Sequence, residues 1–174
     1  MQGHAARGGK NAGGRPIRRL YLHTSDSRFG DVGTIRTWHT EKPPRGNGWD
    51  DIGYHFVVLN GRREPERYVA ADDGLVETGR ALDLPGAHVA KENSDSIGIC
   101  LVGKHGLYTV SQLVAATGLV AELLEQFDLE WSDVRGHYQA ESARGKTCPD
   151  FLIEHFRALA CGARHAIPLG GSHS

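Results

Sequence analysis

Residues 97–102 (Ile-Gly-Ile-Cys-Leu-Val) constrain the fold more than any other segment of this chain. An almost unbroken apolar run of strand length, with no alternation, belongs to a strand covered on both faces. Other short apolar segments flank it at a distance. Residues 17–23 read as a strand ending in the polar loop Thr24-Ser25-Asp26-Ser27, and residues 54–59 read as a second strand. Asn60-Gly61 is a turn signal of the kind that closes hairpins, residues 75–79 suggest a further short strand, and residues 133–137 another. Helical patterns alternate with these. Residues 34–41 form a short helix carrying Ile35 and Trp38, and the Pro- and Gly-rich residues 43–48 must be loop. Thr109 with Gln112 is a capping-box pattern, followed by Leu113, Ala116, Val120, Leu124 and Phe127 at helical spacing. A last helix is expected over residues 150–160. Interleaved strands and helices predict an α/β domain with a mixed central sheet flanked by helices.

The 174 residues suit one domain with a real core. Residues 1–15 and 161–174, rich in Gly and polar residues, read as flexible arms around a folded domain at 16–160. With 24% charged residues and a net charge of -1, no global field draws the chain to nucleic acid or to a membrane surface. No stretch has the roughly 20 apolar residues of a membrane span. Nothing in residues 1–15 resembles a secretory signal, so synthesis and retention in the cytoplasm are expected. Three Cys at wide spacing are not a disulfide framework. Cys100 reads as a small core residue and Cys161 as a free thiol.

Ten His is a high count, and two of them stand out by position. His23 and His137 each close an expected strand, where a rigid scaffold meets an accessible loop. Cys148 lies downstream in Gly145-Lys146-Thr147-Cys148-Pro149. Two imidazoles and one thiolate, with a fourth position for water, are the donor set of an open, catalytic zinc site. By residue type alone these three scattered positions have no local signature, and each has an ordinary structural reading.

The surrounding motifs resemble those of the zinc N-acetylmuramoyl-L-alanine amidases, the group of small phage lysozyme-type amidases and peptidoglycan recognition proteins. They are Leu22-His23-Thr24-Ser25, Ile35-Arg36-Thr37-Trp38-His39, and Gly48-Trp49 through Tyr54-His55-Phe56. Gly86-Ala87-His88, Asn93 through Gly103, Arg135-Gly136-His137 and Lys146-Thr147-Cys148-Pro149 follow in family order. The resemblance implies His23, His137 and Cys148 as zinc ligands, with Tyr54 and Lys146 as polar groups beside the metal. A peptidoglycan hydrolase of the phage endolysin branch is then expected, cutting the amide between N-acetylmuramic acid and L-alanine.

Zinc would activate water, Lys146 would stabilise the developing oxyanion, and Tyr54 would either donate to that oxyanion or help move a proton. His88 is read as either a loop histidine or a residue near substrate. Trp49 is read as either core or, with the loop of residues 43–48, the wall of a glycan groove; His39 is read as structural or exposed, and His55 as a packed or hydrogen-bonded histidine. Residues 62–67 read as a solvated loop. The expected working place is the bacterial wall, reached from the host cytoplasm after release, with the protein a monomer. Some phage relatives also bind an RNA polymerase, which nothing in this sequence demands. A muropeptide-recycling amidase and a non-catalytic peptidoglycan-binding module are the competing readings.

Overall fold

The computed structural model describes residues 8–10 and 13–165. Its elements are β1 (Arg19–Thr24), α1 (Val32–Thr40), β2 (Phe56–Asn60), β3 (Asp73–Thr78), β4 (Ser96–Leu101), α2 (Val110–Gln126), β5 (Val134–Gly136) and α3 (Ile153–His165), joined by short 3₁₀ turns. They form the expected mixed sheet, in the order β3-β2-β4-β1-β5. Only the β2–β3 pairing is antiparallel.

β4 lies at the centre and is buried along its whole length. Its residues alternate between two cores, as a pleated strand requires. Ile97, Ile99 and Leu101 join Leu20 and Leu22 of β1 against Ala116, Val120, Leu123, Leu124 and Phe127 of α2, with Ile153 and Phe156 of α3. Cys100 and Val102 turn the other way, to Val57, Leu59, Ile52 and to Val32 and Ile35 of α1. Burial on both faces is why the run is apolar throughout. Cys100 is the core residue expected.

The capping box of α2 is present in full: the Thr109 side chain accepts from the Gln112 amide, and the Gln112 side chain accepts from the Thr109 amide. The same Gln112 side chain donates to the Val58 and Val102 carbonyls at 3.0 and 2.9 Å, tying the helix start to two strands. α1 begins two residues before the expected position because Asp31 is its N-cap, accepting from the Thr34 amide at 2.8 Å.

Four expectations need correction. Asn60-Gly61 does not close a tight hairpin. The Asn60 side chain accepts from the Arg62 amide and donates to the Arg28 carbonyl, sending the chain outward before it returns as β3. In that excursion Arg63 is not simply solvated, since it meets Asp31, Asp72 and Glu77. The last helix starts at Ile153, after Asp150 in the left-handed region (φ 67°), and continues to His165. Pro168, the first residue that would block a helix, comes later. On the N-terminal side Gly9 donates to the Phe127 carbonyl, and Arg15 is buried and donates to the Leu82 and Ser96 carbonyls. The described part of residues 1–15 is therefore docked on the fold. The side chain of Cys161 lies outside the described residues.

Candidate active site

β1 alternates with its neighbours: Leu20 and Leu22 face α2, so Tyr21 and His23 face the opposite side. β1 and β5 run parallel, and their C-terminal ends bring His23 and His137 together with ring centroids 4.6 Å apart. Cys148 arrives on the loop before α3. Its carbonyl accepts from the Tyr138 amide at 3.0 Å, and its sulfur accepts from the Thr24 amide at 3.3 Å. One potential ligand atom from each of His23, His137 and Cys148 lies within 4.8 Å of the other two. His23 Nδ1 stands 3.9 Å from Cys148 Sγ. Nitrogen and sulfur donors at about 2.0 and 2.3 Å from one tetrahedral ion are themselves roughly 3.5 Å apart. The donor set and its spacing fit a zinc-sized ion.

The electrostatics agree with ligation by neutral imidazoles. Burial first, then His88, His137 and Lys146, hold His23 well below the ordinary histidine range. His137, half-buried, is lowered to about 4 by burial and then by Lys146. Neutral imidazole is the form that binds a metal. Burial pushes the Cys148 thiol up to about 11, opposed by the Thr24 amide. A bound cation would reverse that tendency and favour the thiolate.

One cavity reaches the centre through His137, and a second lies beside it across Lys146 and Thr147. The first, of about 520 Å³, is lined by Tyr54, His39, Trp49, Asn47, His88, His137, Ser142 and Lys146. The other, of about 480 Å³, is lined by His105, Tyr138, Lys146, Thr147, Asp150, Phe151 and Leu152. Lys146 stands between the two and is exposed, with no carboxylate partner among the described residues. Tyr54 lies against His23 at 5.1 Å between centroids. Burial, then Cys100 and Cys148, raise its phenol well above the ordinary range, so it remains a proton donor.

Trp49 is 39% exposed on the cavity wall and packs on His39, so it is a wall residue and not a core one. His39 was expected to be structural or exposed. Its Nδ1 accepts from the Gly53 amide while the ring also lines the cavity. Asn47, Ser142 and Asn93 also line it; Asn47 belongs to the loop read as a possible groove wall and Asn93 opens one of the motifs, while nothing in the sequence singled out Ser142. His55 is buried and hydrogen-bonded, as expected: Nδ1 accepts from the Gly98 amide at 3.0 Å, and Nε2 meets the Leu84 carbonyl at 3.1 Å. His88 borders the cavity but is buried, with Nδ1 3.1 Å from His23 Nε2.

Residues 13–151 match the family described as N-acetylmuramoyl-L-alanine amidase. The chain belongs to that family. Among curated proteins, the endolysin of Klebsiella phage KP32 is 34% identical over 148 residues, covering 79% of this chain and 83% of the relative. The endolysin of Escherichia phage T7 is 32% identical over 147 residues, with the same coverage. Among solved structures, the N-acetylmuramoyl-L-alanine amidase LysC from Clostridium intestinale superposes with a TM-score of 0.65 at 21% identity, covering 82% of this chain and 84% of that one. Drosophila peptidoglycan recognition protein LB gives 0.59 at 24% identity, covering 80% and 79%. These two likenesses carry the fold. The expected enzyme class, a peptidoglycan-degrading amidase, is borne out by the family match and the phage relatives. Among the described residues no helix is long and apolar enough to cross a membrane.

Proposed function

We propose that this amidase is an endolysin that severs the bond between the lactyl carbonyl of N-acetylmuramic acid and L-alanine at a zinc centre. The observation that carries the reading is the meeting of His23, His137 and Cys148, with His137 on the wall of a cavity that Lys146 also lines and a second cavity beyond Lys146. His23, His137 and Cys148 would hold the ion, which when bound polarises a carbonyl and makes water nucleophilic near neutral pH. A strand-borne muramoyl peptide has two arms, glycan and peptide, and the paired cavities can receive both. Trp49 offers an aromatic wall to the substrate. Lys146, exposed between the cavities, places its ammonium where the amide oxygen gains negative charge. Tyr54, kept protonated by burial, donates a hydrogen bond to the same oxygen. A protein with the phage relatives' way of life would act as a monomer on the wall of its host once released from the cytoplasm.

The test measures metal content and the clearing of purified sacculi for wild type, Cys148→Ala, Tyr54→Phe and Lys146→Ala. Cys148→Ala should lose both metal and activity. Tyr54→Phe and Lys146→Ala should keep the metal and lose roughly 100-fold or more in kcat. Near wild-type rates in both would remove them from the chemistry. Faster cleavage of soluble anhydro-muropeptides than of sacculi would favour a recycling amidase instead. Wall binding without release of peptide would favour a non-catalytic binder.

A further inference from the structure

A metal ligand histidine must present a bare nitrogen to the ion, so its other nitrogen carries the proton and needs an acceptor. In His23 the nitrogen facing Cys148 is Nδ1, which leaves Nε2–H. The atom 3.1 Å from that Nε2 is Nδ1 of His88. His88 Nδ1 must then accept, which puts the His88 proton on Nε2, 3.5 Å from Ser96 Oγ. The Ser96 hydroxyl in turn donates to the Glu92 carbonyl, leaving its lone pairs for His88. One direction of donation satisfies every link: His23 to His88, His88 to Ser96, Ser96 to the backbone.

The imidazole at the centre of this chain is held tightly. A Cβ at Gly98 would fall 2.6 Å from the His88 ring, and one at Gly86 would fall 2.4 Å from it, so both positions leave room for the ring and nothing more. The His88 and Val89 amides both donate to Asn93 Oδ1 at 2.9 Å, fixing the backbone that carries the ring. His88 is 8% exposed. A ring so enclosed, with a nitrogen committed to His23, is built to orient a neighbour.

We propose that His88 is a positioning residue for the metal centre: through Nδ1 it fixes the tautomer and ring orientation with which His23 meets the ion. The inference rests on the reading of His23, His137 and Cys148 as metal ligands. It predicts that His88 governs metal affinity before any substrate is present.

The experiment compares wild type, His88→Asn and His88→Leu by zinc competition with a chromophoric chelator and by the visible spectrum of the cobalt-substituted protein. Asn places Oδ1 where the imidazole has Nδ1, so His88→Asn should keep zinc affinity within a few-fold. His88→Leu should lose about 10- to 100-fold, with an altered cobalt spectrum. Equal affinity in His88→Leu and wild type, or an equal loss in both variants, overturns the proposal. In case His88→Leu does not fold, long-range ¹H–¹⁵N spectra of the zinc-loaded wild type give an independent answer. They should show His88 protonated at Nε2 only, and a proton at Nδ1 overturns the proposal. A wild type that binds neither zinc nor cobalt overturns the metal reading itself, which separates the two failures.

Discussion

His55 should make this protein acid-sensitive in a window that can be stated in advance. Its ring is fully buried, with Nδ1 accepting from the Gly98 amide and Nε2 donating to the Leu84 carbonyl, so both nitrogens are used in the neutral form. Protonation would set an N–H of the ring against the N–H of Gly98. Burial is the largest influence and lowers the pKa. The Leu84 bond opposes it, Arg15 and Arg80 reinforce it, and the value falls from 6.5 to about 4.

The sign follows from where the proton goes. Between about pH 6.5 and pH 4 the unfolded chain binds a proton that the folded chain refuses, so stability falls as the pH falls. The contribution is complete above pH 6.5 and is lost on descent through the window, with no further loss below it. At about 1.4 kcal/mol per pKa unit the whole effect is roughly 3 kcal/mol, a large part of a small domain's stability. Urea unfolding followed by far-ultraviolet circular dichroism, from about pH 7.5 to pH 4, should be run on wild type and His55→Gln. The variant starts lower, having lost packing and part of its hydrogen bonding, but should fall less steeply by roughly 3 kcal/mol over that range. Carboxylates and the other histidines cancel in the comparison. Parallel curves would refute the reasoning, because they would mean that His55 titrates alike in the folded and unfolded chains.

Two further substitutions probe the supports of the site. Gln112→Leu leaves the Val102 carbonyl and the Thr109 amide without their partner, while the Val58 carbonyl keeps only its bond from the Val102 amide. At about 1–3 kcal/mol for each buried orphan it should cost several kcal/mol in urea unfolding, and a loss below about 1 kcal/mol would show that water or rearrangement replaces the side chain. Gly53→Ala puts a Cβ 2.3 Å from the Ala87 carbonyl oxygen, so the loop that carries His88 must retreat. It should lower the thermal midpoint by the equivalent of about 1–3 kcal/mol and weaken zinc binding with it, whereas an unchanged metal affinity would uncouple that loop from the centre.

What the sequence revealed depended on how local each cause is. The α2 start was legible because Thr109 and Gln112 satisfy each other within one turn, and its core stripe because the helix repeats inside a short window. The central strand was legible because burial on both faces leaves an apolar run. Strand order had no such signal: the pairing of β1 with both β4 and β5 is decided by helices packing on two faces. His23, His137 and Cys148 are far apart in the chain, and only motifs on the resembling family made them stand out together. Arg15 fell in a Gly-rich stretch that reads as an arm, yet its guanidinium meets carbonyls that become available only after residues 82 and 96 have folded. His88 was ambiguous for the same reason. Its meaning lies in Gly86 and Gly98, which frame the ring in space but say nothing of it in order.

The two faces of the sheet divide the labour, and strand parity enforces the division. On β1, Leu20 and Leu22 go to the α2 side, while Tyr21 and His23 go to the other. On β4, Ile97, Ile99 and Leu101 go to the α2 side, while Ser96, Gly98 and Cys100 lie on the side of the site. The residues β4 offers there are small, and the space they leave is filled by imidazoles: Gly98 touches the His88 ring through space and the His55 ring through its amide. A single-residue slip of β1 would carry His23 into the apolar core and Leu22 into the proposed metal centre. The apolar pattern of β1 therefore does more than build a core. By fixing the register in which His23 stands opposite Cys100, it aims the proposed ligand, and the site inherits its geometry from the same alternation that stabilises the fold.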